Sequence, residues 1–334
     1  MPGQLPRRTA LAGLGALLLT GCSGTGRLPA PAPGTPAAPS TTEPGSRPPG
    51  PTPTPTPTVT VTAATGPVTV PAAPQRVIAL DTAELDSAMT LGITPVGAAR
   101  APADPGFPDY WPASRLAAVR SVGLIGSPDP DLISALRPEL ILGNQTRDGA
   151  HYGELSKVAP TVLTQTTGAP WKANFQLHAQ ALGRQQQAAV VVEAYADHIT
   201  QATAAIAAAG SAGRRISLVR FVEGSPTVRL YGRQNFPGTL LADLALGRPD
   251  SQNTDTFATE IPPDQIAKAD ADFLFYAAYG TAQTATTLDT PAWHALSAVQ
   301  NHRAFPVDDE LWFQGIGYTG AHLVIGELQR FLGG

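Results

Sequence analysis

A single cysteine, Cys22, stands in a chain of 334 residues. No disulfide can therefore staple the fold. Histidine is also scarce: His151, His178, His198, His294, His302 and His322 are scattered singly, without the clustered His and carboxylate ligands of a metal site. Charged residues are only 14% of the chain and the net charge is -4, which argues against a nucleic-acid partner. Past the N-terminal segment no hydrophobic run approaches the roughly 20 residues that a spanning helix needs. The hydrolase signatures G-x-S-x-G, S-x-x-K and H-E-x-x-H are missing. "GIGYTG", Gly315 to Gly320, does satisfy G-x-G-x-x-G, but a dinucleotide site also needs a following βαβ unit and an acid about 20 positions on. Only one more helical segment follows, so the motif reads as a tight turn into the final helix.

What is present begins with "MPGQLPRRTALAGLGALLLTGCSG": Arg7 and Arg8, the apolar run Ala10 to Leu19, then Thr20, Gly21 and Cys22. That order is a secretory signal, and the arginine pair leaves both the twin-arginine and the general export route open. "LTGC" resembles the lipobox of bacterial lipoproteins, which implies cleavage before Cys22 and acylation of its thiol. Residues 1–22 are thus the signal and residues 23–66 a tether. Twelve of the 34 prolines fall between residues 25 and 58, and a chain so poor in large apolar residues cannot bury a core. As polyproline II the tether would reach up to ~100 Å, at ~3.1 Å per residue. The folded part is expected from about Pro67.

From Gln75 onward, short β-like runs ("RVIAL", "PELILG", "TVLT") alternate with helix-like ones ("TAELDSAMTLG", "PDLISALR"). This alternation indicates an α/β fold with a largely parallel sheet. Residues 182–209, free of proline and dense in helix formers, read as one helix of about 40 Å, longer than one small lobe requires. A second α/β series follows from "RRISLVRFV" to "GAHLVIGELQRFL". The two series echo each other. "DLISALRPELIL" from Asp131 and "DQIAKADADFLF" from Asp264 share Asp, Ile two places on and an acid eight places on, each after a proline. The expected organisation is an N-terminal lobe over 67–181, the inter-lobe helix over 182–209 and a C-terminal lobe over 210–334.

"TVRLYGRQNFPG", Thr227 to Gly238, places Arg229, Tyr231 and Arg233 at alternate positions of a strand running into a turn. All three then share one face, with Val228 and Leu230 on the other.

An exported, lipid-anchored, two-lobed α/β chain with one long connecting helix resembles the substrate-binding proteins of ferric-siderophore and vitamin B12 ABC importers. "PQRVIALDTAELDSAMTLGITPVGAA", "DLISALRPELILGNQ", "VRLYGRQNFPGTLLADLALGRP" and "LDTPAWHALSAVQNHRAFPVDDELWFQGIGYTGA" carry the likeness, which covers nearly all of residues 75–332. Iron-dicitrate and siderophore-binding lipoproteins of mycobacteria and related actinobacteria look most similar. The resemblance implies a periplasmic-binding-protein-like fold and a ferric siderophore or ferric citrate held between the lobes. It further implies delivery to an ABC permease dimer, a monomeric state, an extracytoplasmic location at the cell membrane and no intrinsic cofactor. Arginine's planar fork suits anionic chelate oxygens, so Arg229 is the foremost ligand candidate, with an ion pair to a strand-edge acid as the alternative. Arg220 and Tyr231 are further candidates. Trp312, Trp171, Tyr279 and Asn144 belong to the same set, each at a strand end or its equivalent, against the alternative of filling the core. Asp131 and Asp264 match the acidic residues that dock on permease arginines, although both are Asp where the family usually has Glu. Haem in the same cleft, a lipid-anchored hydrolase and an envelope scaffold without cargo are the competing readings.

Overall fold

β-Branched residues at alternating positions, "TVTVTA", form strand β1, Thr58–Ala63, paired antiparallel with β2, Gly66–Pro71. Val61 and Val70 are buried beneath the hairpin. Folded chain therefore starts ahead of Pro67, and the tether expected to run to residue 66 ends sooner. Its Thr/Pro-rich composition conceals a two-residue valine period. The structure is a computed structural model that describes residues 57–280 and 284–333. Cys22, the signal and most of the tether lie outside the described residues.

The N-terminal lobe is a six-stranded sheet in the order β6-β5-β4-β3-β7-β8. Its strands are β3 (Val77–Ala79), β4 (Gly97–Arg100), β5 (Arg120–Leu124), β6 (Ser127–Pro128), β7 (Leu140–Asn144) and β8 (Thr161–Thr164). All pairings are parallel except β5 with β6. Helices cover this sheet: α1, Thr82–Thr90; α2, Pro130–Ala135; the short α3, Gln145–Asp148; and α4, Trp171–Ala181. Helix α5, Gln185–Ala208, then leads to the second lobe, where the sequence predicts a helix over 182–209. Gly210 takes a positive φ of 75° just past its end, a conformation that glycine adopts without Cβ strain.

The C-terminal sheet runs β11-β10-β9-β12-β13. Strands β9 (Ile216–Val222), β12 (Phe273–Tyr279) and β13 (Ala304–Pro306) are parallel, whereas β10 (Val228–Tyr231) and β11 (Ala258–Ile261) are antiparallel additions. The expected parallel character thus holds for the centre of this sheet and not for one edge, because β9 turns straight back into β10 without a crossover helix. Helix α6, Phe236–Asp243, follows β10, and α7, Tyr318–Leu332, closes the chain along α5. One continuous apolar cluster contains side chains of both lobes, among them Phe175, Tyr195, Phe236 and Tyr318.

Helix α1 is buried along nearly its whole length although it carries Glu84, Asp86 and Ser87. Opposite it, His178 of α4 is fully buried, with Nδ1 2.9 Å from Ser87 Oγ and Nε2 3.8 Å from Glu84 Oε1. Burial pushes the Glu84 carboxyl well up and the His178 imidazole down to about 3, so it favours the uncharged form of each.

A neutral buried histidine makes stability depend on pH. Its folded pKa lies below the unfolded value, so its contribution is present above about pH 6.5 and is lost as pH falls toward 3. Asp86 and Asp148, both pushed up to about 6 chiefly by burial, act in the opposite sense below that pH. The comparison with a His178→Gln variant isolates the histidine. Denaturant unfolding between pH 7 and 5 is expected to show wild type losing about 2 kcal/mol more than the variant. Parallel pH curves for the two proteins would refute a neutral His178.

Candidate functional site

Strand ends of both sheets converge on a cavity of about 300 Å³. The N-terminal lobe brings Asp81 and Thr82 from the β3–α1 junction, Arg147 from α3, and Thr167 and Gly168 from the segment before α4. From the C-terminal lobe come Arg220 of β9, Arg229 and Tyr231 of β10, Tyr279 at the end of β12, Phe257 from the loop before β11, and Phe313 and Gln314 from a helical turn before α7. These positions follow from the α/β architecture, whose strands end at a crevice between the elements that cover them.

Arg220 and Arg229 stand directly opposite each other on neighbouring strands, an unfavourable pairing of like charges that needs compensation. Asp309 clamps Arg220 from behind, with Oδ1 2.6 Å from Nε and Oδ2 2.5 Å from Nη2. Arg220 Nη1 donates to the Tyr231 hydroxyl at 3.2 Å, and its guanidinium lies over the rings of Tyr279 and Phe313. Glu260, its cross-strand neighbour on β11, accepts from Arg229 Nε at 2.6 Å. Burial, the largest single influence, would lower both arginines, but hydrogen bonding and charge attraction to Asp309 and Glu260, together with interactions with Tyr231, outweigh it in sum and raise them, so both stay charged. Arg229 thus lines the cavity and also forms the ion pair that the sequence left as its alternative.

In the N-terminal lobe, Asp81 is the hub. Its Oδ1 accepts from the Thr82 amide at 2.7 Å as the N-cap of α1. Its Oδ2 accepts from Asn144 Nδ2 at 3.1 Å and pairs with Arg147 Nη1 at 3.0 Å. Asn144 itself lies outside the cavity lining, fully buried, where Oδ1 accepts from the Arg147 amide and caps α3. It therefore supports two lining residues instead of facing the cleft.

Two tryptophans expected at the cleft also lie outside the lining. Trp171 is buried among Tyr195, Phe236 and Tyr318, and its indole donates to Thr239 Oγ1 at 2.8 Å. Trp312 is fully buried, stacked on Phe275 with centroids 4.8 Å apart and donating to Glu327 Oε2 at 2.5 Å. It sits in a π-helical turn, Glu310–Gln314, that presents the next two residues, Phe313 and Gln314, to the cavity instead. Arg233 lies past the end of β10, outside the lining, and bonds Asn253. Tyr279 does line the cavity, its hydroxyl accepting from the Ala103 amide at 3.1 Å and so tying the two lobes together. The sequence reading missed Asp81 and Arg147. A strand-end signal was available for both: Asp81 immediately follows "RVIAL" and Arg147 follows "ELILGN" by three residues.

The family model described as periplasmic binding protein matches residues 77–311. The chain is 29% identical over 278 residues to the "Probable siderophore-binding lipoprotein YfiY" of Bacillus subtilis, covering 78% of this chain and 83% of that protein. It is 28% identical to the Fe(3+)-citrate-binding protein YfmC of the same organism, over 75% of this chain and 79% of that one. Among solved structures, Staphylococcus aureus SirA complexed with staphyloferrin B superposes with a TM-score of 0.73 at 25% identity, covering 82% of this chain and 98% of SirA.

The two C-terminal arginines differ in how firmly the fold holds them. The Arg220 and Asp309 side chains are 12% and 10% exposed, against 31% and 40% for Arg229 and Glu260. Arg220→Ala strands a buried carboxylate and is expected to cost roughly 3 to 5 kcal/mol, while Arg229→Ala costs about 1 kcal/mol or less. Thermal or denaturant unfolding reads the difference, and equal losses would contradict the clamp.

Proposed function

Because the chain belongs to the periplasmic binding protein family, we propose that it is an extracytoplasmic receptor that captures a ferric siderophore or ferric citrate between its lobes and hands it to an ABC importer. The observation that carries this reading is a cavity with guanidiniums from opposite lobes, Arg147 and Arg229, beside an aromatic wall of Tyr231, Tyr279, Phe257 and Phe313. Guanidiniums bind anionic oxygens bidentately, and the rings give the organic part of a chelate an apolar surface. Iron arrives already wrapped, so the protein recognises the chelator and needs no metal ligands of its own. Similarity to relatives named for siderophore and Fe(3+)-citrate binding supports the same class of cargo.

The described histidines lie elsewhere than the cavity lining, and both of its tyrosine hydroxyls are engaged, Tyr231 by Arg220 and Tyr279 by Ala103. No observation favours haem. The hydrolase reading fares no better: Ser87, His178 and Glu84 do form a Ser–His–acid line, but all three are buried between α1 and α4, out of reach of a substrate. A lipid anchor at Cys22, outside the described residues, would hold the receptor at the membrane, and no described helix is long and apolar enough to cross one.

Delivery is assigned to the echoed aspartates. Asp131 and Asp264 are both exposed in the first turn of a short helix, each after a proline, and the echoed Ile133 and Ile266 are both fully buried. One carboxylate is thus presented from each lobe, Asp131 at the start of an α-helix and Asp264 at the start of a 3-10 helix, suited to arginines of a permease dimer.

Ferric citrate binding by equilibrium dialysis tests capture. Arg229→Ala and Arg147→Ala should each weaken it by roughly 1.5 to 3 kcal/mol, with Arg229→Lys recovering only part. Affinity unchanged in both alanine variants would return these arginines to a purely structural role. For delivery, the double change Asp131→Ala with Asp264→Ala is expected to leave affinity intact and to depress cellular iron uptake strongly. Normal uptake would remove the docking assignment.

A further inference from the structure

Helix α7 begins without a cap of its own. Its N-cap residue is Gly317, which has no side chain to accept the amides of the first turn. Those amides are nevertheless satisfied. Thr319 N donates to Asp86 Oδ1 at 3.3 Å and Gly320 N to Asp86 Oδ2 at 3.2 Å, the second- and third-position amides that an N-cap aspartate would normally take. The carboxylate comes from α1, more than two hundred residues earlier in the chain and in the other lobe.

The site is built around that carboxylate on every side. Tyr110 Oη donates to Oδ2 at 3.2 Å and Thr90 Oγ1 to Oδ1 at 3.1 Å, while Thr90 and Thr319 join hydroxyls at 2.8 Å. Asp86 is fully buried. A Cβ at Gly317 would collide with Asp86 Oδ1, so the missing side chain at 317 is the space that the carboxylate fills. The positive end of the helix dipole favours a negative group there, against the cost of its burial.

The segment that this cap pins is also a wall of the cavity. Phe313, Gln314 and Ile316, immediately before α7, all line it. Gln314 Nε2 donates to Asp309 Oδ2 at 2.9 Å and to Asp104 Oδ2 at 3.2 Å, and Asp309 is the clamp on Arg220. We propose that Asp86 is a positioning residue of the cavity: by capping α7 from the opposite lobe it sets where Phe313 to Ile316 stand, and with them the Asp309–Arg220 pair. The inference rests on the cavity being the ligand site only for its effect on affinity; the positioning itself is independent of any ligand.

The experiment compares full-length wild type, Asp86→Ala, Asp86→Asn and the control Asp129→Ala, which removes the N-cap of α2 away from the cavity. Hydrogen exchange and ferric citrate affinity are read on each. Asp86→Ala is expected to speed exchange of the 313–321 peptide about tenfold, with β7 and β9 unchanged, and to weaken ferric citrate severalfold. Asp86→Asn keeps one acceptor oxygen and should fall between wild type and Asp86→Ala; it also serves as the variant if Asp86→Ala fails to fold. Asp129→Ala should lower stability without touching affinity. Unchanged exchange at 313–321 in both Asp86 variants overturns the proposal, as does an equal affinity loss in Asp129→Ala. If wild type ignores ferric citrate while the exchange pattern appears as expected, the positioning stands and the ligand reading falls.

Discussion

Trp171 is the contact on which the arrangement of the two lobes depends. Its ring meets Tyr318 at 4.7 Å, Phe236 at 5.4 Å and Tyr195 at 5.6 Å between centroids, all edge to face. Those four residues come from α4 and the N-terminal lobe, α7 and α6 of the C-terminal lobe, and the connecting helix α5. Aromatic pairs of this geometry add about 0.5 to 1.5 kcal/mol each beyond the area they bury. A cluster drawn from both lobes has a further consequence: neither lobe completes its core alone. Side-chain packing between the lobes thereby fixes where the walls of the cavity stand.

On that frame the charges are arranged locally, against the overall balance of -4. Each of the three cavity arginines has its own carboxylate: Arg147 with Asp81, Arg220 with Asp309, Arg229 with Glu260. The partners do different things. Asp309 takes two nitrogens of Arg220 in a buried pair, which orients the guanidinium and leaves little of it free. Glu260 takes Nε of a more exposed Arg229 and so holds its guanidinium less tightly than Asp309 holds that of Arg220. Asp81 is secured by the start of α1 and by Asn144 as well as by Arg147. The buried acids of α1 differ in this respect. Asp86 has four hydrogen-bond donors, whereas Glu84 has no such partner and is pushed upward in pKa by burial and by the nearby Asp81 and Asp148 carboxylates.

Much of this was legible in the amino-acid order. The change of hydrophobic period from strand to helix marks two α/β series, the proline-free stretch around residues 185–208 marks the helix between them, and alternation in "TVRLYG" puts Arg229 and Tyr231 on the face opposite Val228 and Leu230. These are local properties, set within a few residues by backbone geometry. Other features were beyond the reach of any local pattern. Trp171, Trp312 and Asn144 sit at strand and helix ends in the sequence, but which way each faces depends on what packs over it: the C-terminal lobe covers Trp171, Phe275 and Glu327 of its own lobe hold Trp312, and Asp81 and Arg147 of its own lobe engage Asn144. The π-helical turn at 310–314 shifts by one position which aromatic meets the cavity. "GIGYTG" is legible as a turn, but the reason for Gly317 is a carboxylate from residue 86. The sequence by itself determined the elements, their order and the charged face of one strand, because those depend on neighbours along the chain. Only the tertiary structure decided which side chains share the cavity and which hold it in place, because aromatic packing, helix capping and hydrogen bonding there join groups far apart in the chain, several of them from opposite lobes.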